Sequence, residues 1–199
     1  TTFEKPEGGL YQEELFGTAG FVGMSSLIYH VHPPTVVSEV RKVKDLTAKI
    51  GIEKNMKALS FKGFSLPQID DYIESRKILF VNNDLKIGLA APKSFSKDYF
   101  YRNSDSDEML FIHIGSGKLR TMYGNIDFKY GDYLIIPKGT TYQIDFDTKD
   151  NRILFIESAS AITTPKRYRN NYGQLLEHSP FCERDIRLPK ELKTHDEKG

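Results

Sequence analysis

Two pairs of side chains in this sequence have types that could bind a metal ion. His30 and His32 form a His-x-His pair, and on a strand this spacing places both imidazoles on one face. Glu108 and Tyr142 lie in apolar segments with strand-like alternation. A divalent ion needs several N or O ligands that converge on one point. Near the second pair the sequence offers a single candidate carboxylate, so we expect no metal site there.

The histidine pair also has a simpler interpretation. No acidic residue or cysteine stands near His30 and His32 in the sequence, and the rigid Pro33-Pro34 follows. Local hydrogen bonds of the two imidazoles explain the pair without a metal ion. We therefore favour local hydrogen bonding, and leave open a metal-dependent isomerase or epimerase that would use His30, His32 and Glu108.

Cys182 lies close to His178 and Glu177, the residue types of a thiol nucleophile and its base. Nothing in their spacing brings these side chains face to face. A buried structural thiol is the better prediction for Cys182. We predict no catalytic and no cofactor-binding residue in this chain.

The segment from Glu108 to Phe146 must position the second candidate pair. Short strand-like stretches alternate there with glycine turns, which predicts an all-β meander. Because strand side chains alternate, Glu108 shares a face with Leu110 and Ile112, whereas His113 points to the other face. The same alternation places Tyr142 on the apolar side, as a core residue whose hydroxyl has a hydrogen-bond partner.

The spacing in this segment resembles the two motifs of the cupin family. Gly131, Pro137 and Gly139 fall on the second motif, but Tyr142 stands where that family has a metal-binding histidine. Glu108 and Gly115 match the first motif, while its two histidines fall within residues 101–104, which contain none. The resemblance implies a cupin-type jelly-roll β-barrel or sandwich whose metal pocket, at Glu108 and Tyr142, has lost its ligands.

The remaining segments complete this architecture. We predict an extended N-terminal segment over 1–35, the degenerate cupin barrel over 36–160 and an irregular arm over 161–199. Within the barrel we expect the following elements: an edge strand at Val36–Lys44, a short helix at Pro67–Ser75 with solvated Asp70, Asp71 and Glu74, a hairpin at Lys77–Ala90, and a strand at Asn151–Ser158 buried on both faces. Residues 45–60 fit helix and strand equally.

Composition excludes several classes of function. The net charge of +1 gives no general attraction to nucleic acid or to an anionic membrane. The single cysteine excludes an internal disulfide, and no apolar run is long enough to span a bilayer. We expect a cytoplasmic protein. Because the chain starts with Thr1 and ends in a charged stretch, we also expect it to be part of a longer protein.

Four stretches carry a closer resemblance: GGLYQEELFG, YHVHPPT, GDYLIIPKGTTY and PKRYRNNYGQLLEHSPFCERDIR. They resemble the amino-terminal half of the homogentisate 1,2-dioxygenase family. That resemblance implies a two-cupin enzyme of tyrosine and phenylalanine breakdown that opens an aromatic ring with dioxygen. Its Fe(II) would be held by two histidines and a glutamate of a carboxy-terminal cupin beyond Gly199. The resemblance also implies homo-oligomers, as trimers or trimer pairs.

An alternative of a different class is a stand-alone, non-catalytic cupin that binds a small molecule in the emptied pocket. It predicts a reading frame that ends shortly after Gly199. The first interpretation predicts a further stretch with two histidines and a glutamate. In either case this 199-residue chain alone is expected to be inactive and to bind no iron.

Overall fold

The contacts divide the chain into two units, 1–49 and 50–199, and the described residues of the first unit form a β-hairpin. The computed structural model describes residues 3–17, 20–23, 25–51, 57–93, 99–180, 182–193 and 195. Strands β1 (Gln12–Gly17) and β2 (Ser25–His30) pair antiparallel, with Leu15 opposite Leu27.

The predicted edge strand at Val36–Lys44 is wrong, because these residues form no strand. A strand needs a neighbouring backbone to complete its hydrogen bonds. Here the valines of the segment are exposed, with Val40 and Val43 each 87% accessible. Residues 45–51 and 57–60 also lie outside any helix or strand; residues 52–56 lie outside the described part of the chain.

The second unit consists of two antiparallel sheets. Five strands lie in the order β3, β4, β11, β6, β9, and four in the order β5, β10, β7, β8. Their bounds are β3 Lys77–Val81, β4 Leu85–Ala90, β5 Tyr101–Arg102, β6 Asp107–Ile114, β7 Gly117–Thr121, β8 Gly124–Phe128, β9 Tyr133–Ile136, β10 Thr141–Phe146 and β11 Arg152–Ser158. The predicted all-β class is therefore confirmed, as is the hairpin β3–β4.

The core lies between the inner faces of the two sheets. Leu110 and Ile112 of β6 and Ile144 of β10 are fully buried and belong to one apolar cluster. Met109 and Phe111 of β6 are more exposed than Leu110 and Ile112, which confirms the predicted phase of β6. In β10 the inward Tyr142, Ile144 and Phe146 are buried as predicted, although Gln143 between them is also buried. Positive φ angles of 86° at Gly131 and 84° at Gly139 explain glycine at two of the motif positions.

Strand β11 was predicted to be buried on both faces, and this is wrong. Ile153, Phe155 and Glu157 point inward and are buried, whereas the alternate residues are half-buried. The outer face is covered only in part, by the segment around the turn Gly63–Ser65. The continuous apolar run of β11 therefore has one face in the core and one face that is only partly covered.

A one-turn helix, α1 (Tyr72–Ser75), connects the segment 57–71 to β3. Asp71 caps it by accepting a hydrogen bond from the Glu74 backbone N–H at 2.8 Å. Asp71 also accepts the Tyr99 hydroxyl at 2.7 Å and is 1% exposed. The helix was predicted, but a solvated Asp71 was wrong, because the capping carboxylate is buried under Tyr99.

The described residues after 160 form two 3-10 turns, Lys166–Tyr168 and Glu183–Asp185, and no strand. Arg187 ties this region to the four-stranded sheet and its neighbouring turn, with an ion pair to Asp132 and a hydrogen bond to the Asp127 carbonyl. No helix in the described part of the chain is long and apolar enough to cross a membrane.

We expect Gly88→Ala to destabilise the second unit. A Cβ at Gly88 would lie 2.4 Å from the Phe155 ring and 2.3 Å from the Lys77 carbonyl oxygen. Overpacking of this kind costs about 1–3 kcal/mol of unfolding free energy, measurable by urea denaturation. Gly51→Ala is the control, because a Cβ there meets nothing within 4 Å. Equal stability of the two variants would contradict the packing argument.

Candidate functional site

The inner face of the five-stranded sheet carries a row of charged residues. Glu157 of β11 lies opposite Glu108 of β6 on one side and opposite Lys86 of β4 on the other. Glu108 and Glu157 are 1% and 5% exposed. Facing like charges on adjacent strands repel, so two buried carboxylates in this register need a cation beside them.

Arg76 supplies that cation from the junction of α1 and β3. It follows Tyr72 by one helical turn, which places both side chains on the same face. The Arg76 side chain is 8% exposed. Its Nη1 lies 3.4 Å from Glu108 Oε1, and its Nη2 donates to Glu157 Oε1. The guanidinium therefore bridges the two facing carboxylates.

The other carboxylate oxygens are also occupied. The Tyr142 hydroxyl donates to Glu108 Oε2 at 2.7 Å, and Lys86 Nζ donates to Glu157 Oε2 at 2.8 Å. Each of the four carboxylate oxygens thus has a donor from this chain. Two cations and two carboxylates balance in formal charge, as a buried ionic cluster requires.

The aromatic side chains around the cluster hold the guanidinium in place. The central carbon of Arg76 lies 4.1 Å from the Phe155 ring centroid and 5.8 Å from that of Tyr72. The Tyr101 ring contacts the Tyr142 ring edge to face, with centroids 5.6 Å apart. The contact with the Phe155 ring and the two carboxylate contacts leave the Arg76 side chain little conformational freedom.

The two carboxylates experience opposite electrostatic environments. Burial raises the pKa of Glu108 above its ordinary value, although Arg76 and Tyr142 act against this. For Glu157 burial acts in the same direction, but Arg76 and Lys86 outweigh it and lower the pKa. Burial next to Glu108 raises the pKa of Tyr101 to about 12. Glu157 is therefore the more firmly ionised carboxylate of the pair.

The structure brings together the two residues singled out in the cupin-like segment. Glu108 and Tyr142 are both 1% exposed and share the hydrogen bond described above. His113 lies on the opposite face, as its parity predicted, with its ring 5.0 Å from that of Phe64. It cannot join a site at Glu108.

The histidine pair of the first unit is not arranged as a strand pair. His30 ends β2, and His32 lies beyond it. His30 Nε2 and Glu14 Oε2 are 2.7 Å apart. Local hydrogen bonding of His30 is confirmed, but the absence of an acidic partner was wrong, because pairing of β1 with β2 brings Glu14 close. No group of three or more possible metal-binding side chains occurs among the described residues.

Cys182 begins the 3-10 turn Glu183–Asp185 and is half-buried rather than buried. Its backbone N–H donates to the Asp185 carboxylate at 3.0 Å, and its side chain accepts from the Asp185 backbone. These contacts give Cys182 a structural place in a turn. These contacts account for a cysteine at this position without a role as a catalytic nucleophile.

The sequence did not predict that Arg76 and Glu157 belong to this cluster. Glu157 had a signal, because it shares the strand phase of the buried Ile153 and Phe155. Arg76 had a weaker one: it stands four residues after Tyr72, directly behind the predicted helix Pro67–Ser75. An arginine between a helix and a strand is usually solvated, so only the facing carboxylates identify it as internal.

A second concave feature lies on the outer face of the same sheet. It is a cavity of about 330 Å³ lined mainly by aromatic and aliphatic residues, with His113 and Arg152 as its polar members. Arg152 Nη1 donates to the Leu66 carbonyl at 2.6 Å and so anchors the segment that covers part of this face. The lining of this cavity has fewer polar side chains than the charged cluster on the inner face of the sheet.

Comparison with known proteins places the chain in a family. Residues 4–167 match the family model described as homogentisate 1,2-dioxygenase N-terminal. The chain belongs to this family. Over 199 residues it is 39% identical to a Saccharolobus solfataricus protein named "Putative dioxygenase", and it spans 51% of the length of that relative. The predicted resemblance to the amino-terminal half of this family is confirmed.

Two of the solved structures that resemble this family member are cupin domain proteins. A cupin domain of Schizosaccharomyces pombe Cnp3 matches 42% of the chain and 62% of its own length, with 14% identity and a TM-score of 0.39. A cupin-2 domain protein of Shewanella frigidimarina matches 42% of the chain and 79% of its own length, with 21% identity and a TM-score of 0.37. At these scores the matches carry no argument about function.

We expect the two facing carboxylates to titrate on opposite sides of pH 4.5, the ordinary pKa of a glutamate. Because burial raises the folded pKa of Glu108, ionising it costs more in the folded state than in the unfolded state; the stability linked to this group is therefore fully present below pH 4.5 and is lost as pH rises through its folded pKa. The contribution of Glu157 is present above pH 4.5 and is lost as pH falls through its folded pKa. Carbon-13 NMR of the carboxyl groups measures both midpoints, with Glu108→Gln and Glu157→Gln to assign the signals. Two midpoints below pH 4.5 would contradict the electrostatic description of Glu108.

Proposed function

We propose that this chain is the amino-terminal, structural half of an Fe(II)-dependent dioxygenase that cleaves the aromatic ring of homogentisate in tyrosine and phenylalanine breakdown. Membership of the homogentisate 1,2-dioxygenase N-terminal family supports the reaction class. The observation that carries the proposal is the 51% coverage of a relative named as a dioxygenase. The remaining half of that relative, which this chain does not match, is large enough to hold the reaction centre.

Among the described residues, the donor set of the barrel interior does not fit Fe(II). A mononuclear ring-cleaving iron site needs about three protein ligands with positions open for substrate and dioxygen. The barrel interior offers Glu108 and Glu157, whose four oxygens already accept hydrogen bonds from Arg76, Tyr142 and Lys86. We therefore assign the iron to two histidines and a glutamate of the carboxy-terminal cupin. Bound there, it would gather the aromatic acid and dioxygen.

An assembly role fits the surface of the chain. Phe21, Val40 and Val43 of the first unit are 87% to 98% exposed, and Phe64 and Tyr133 of the second unit are more than 60% exposed. We take these exposed apolar side chains as part of the surface that other subunits or domains cover. We propose that the carboxy-terminal cupin and further copies of the chain cover them, in a trimer or a pair of trimers. We place the whole enzyme in the cytoplasm, without nucleic-acid or membrane partners.

The alternative of a stand-alone small-molecule-binding cupin receives no support from the barrel interior. It requires open space next to Glu108 and Tyr142. That space holds the Arg76 guanidinium, and both residues are 1% exposed. A ligand would have to displace a buried ion-paired arginine, at a penalty of several kcal/mol.

The test uses the complete reading frame that contains this chain. We expect the frame to continue past Gly199 into a segment with two histidines and a glutamate. The purified product should contain stoichiometric iron and consume dioxygen with homogentisate, because the substrate and iron sites belong to the added half. The 199-residue chain produced alone should do neither, by metal analysis and an oxygen electrode.

A double variant, His30→Gln with His32→Gln, serves as the matched control in the complete product. We expect its iron content to equal that of the unmodified enzyme, since these histidines lie outside the proposed iron site. Stoichiometric iron in the 199-residue chain, or loss of iron in the double variant, would overturn the assignment. A frame that ends near Gly199 would overturn the proposal itself.

A further inference from the structure

Two facing carboxylates in the barrel interior raise the question of what neutralises them. Glu108 and Glu157 stand opposite each other across β6 and β11 and are almost fully buried. In a metal-binding site such a pair would be neutralised by the ion that it binds. In this chain the neutralising groups are side chains of the protein itself. Arg76 contacts both carboxylates, and Lys86 contacts Glu157.

The guanidinium also has the geometry of a bound ion rather than of a surface arginine. Its two terminal nitrogens contact different carboxylates, so it lies between them. Its central carbon lies over the Phe155 ring, 4.1 Å from the ring centroid. Gly88 gives that ring its space, since a Cβ there would come within 2.4 Å of it. Carboxylates, ring and glycine together form a cradle shaped for a planar cation.

We propose that Arg76 is the resident cation of the barrel: its guanidinium takes the place of a metal ion between Glu108 and Glu157, and its removal creates a binding site for free guanidinium. This proposal rests on the proposed function in one respect: both place the iron in the carboxy-terminal cupin and not in this barrel. Its tests measure stability and binding of the 199-residue chain, so they are independent of dioxygenase activity.

The first test is rescue of Arg76→Ala. This variant keeps both carboxylates and the Phe155 face but has a gap between them. We expect its melting temperature to fall below that of the wild type, and low millimolar guanidinium chloride to raise it by about 2–4 °C, because a ligand that binds only the folded state stabilises it. Sodium chloride at the same concentration controls for ionic strength, and the wild type should show no rise.

Arg152→Ala is the matched control variant. Arg152 is also largely buried and pairs with Asp150 at 3.0 Å, but its other partner is the Leu66 carbonyl rather than a second carboxylate. Guanidinium should therefore fail to rescue it. Equal rescue of both variants, or no rescue of Arg76→Ala, would overturn the proposal.

A second test applies even if Arg76→Ala does not fold. Arg76→Met combined with Glu108→Gln leaves one carboxylate, Glu157, with its partner Lys86, so the cluster stays balanced. Arg76→Met combined with Glu157→Gln leaves Glu108 without a cation and Lys86 without its carboxylate. We expect the first double variant to give more soluble, higher-melting protein than the second and than Arg76→Met alone.

Equal melting temperatures of the two double variants would show that Arg76 acts by packing and not as a cation, because both lack the same side chain; the opposite order would likewise contradict the proposal. Binding of Fe(II) or Mn(II) offers a direct check on the wild type by equilibrium dialysis. We expect none at this cluster. Stoichiometric binding that Glu108→Gln abolishes would overturn the proposal, because it would show that an ion competes successfully with the guanidinium.

Discussion

Two carboxylates that face each other in a protein interior can both remain ionised only if a cation lies between them. The register of β6 and β11 imposes this constraint on Glu108 and Glu157, and Arg76 meets it. Buried ion pairs of this kind often add little net stability, since desolvation offsets the attraction. Their effect is greatest on specificity, because an arrangement that separates Arg76 from either carboxylate leaves a buried charge unpaired.

This constraint reaches both sheets and the short helix. Arg76 comes from the end of α1, Lys86 and Glu157 from β4 and β11, and Tyr142 from the four-stranded sheet. A helix of one turn has no stability of its own in water. Here its cap, Asp71, is held by Tyr99, and Tyr72 is buried in the core. The tertiary contacts that fix α1 therefore also fix the position of the guanidinium.

The sequence predicted those features that depend on one strand at a time. Alternation placed Glu108 and Tyr142 inside and His113 outside, because side-chain direction follows directly from strand phase. It did not reveal that Glu157 faces Glu108, since that depends on the register between strands far apart in sequence. Arg76 depends in addition on where a short helix ends. The strand predicted at Val36–Lys44 failed for a related reason: β-branched residues favour a strand, but only a neighbouring strand can complete its hydrogen bonds.

The motif positions separate into two physical kinds. Gly131 and Gly139 adopt positive φ angles, so the backbone of the turns requires them whatever the barrel contains. The positions that would hold a metal ion impose no such backbone requirement, and their side chains can change once another cation neutralises Glu108. Agreement at the glycines therefore indicates the fold, while Tyr142 and Arg76 determine the chemistry of the interior. A tyrosine in place of a histidine ligand is consistent with this, because its hydroxyl satisfies the oxygen of Glu108 that Arg76 leaves open.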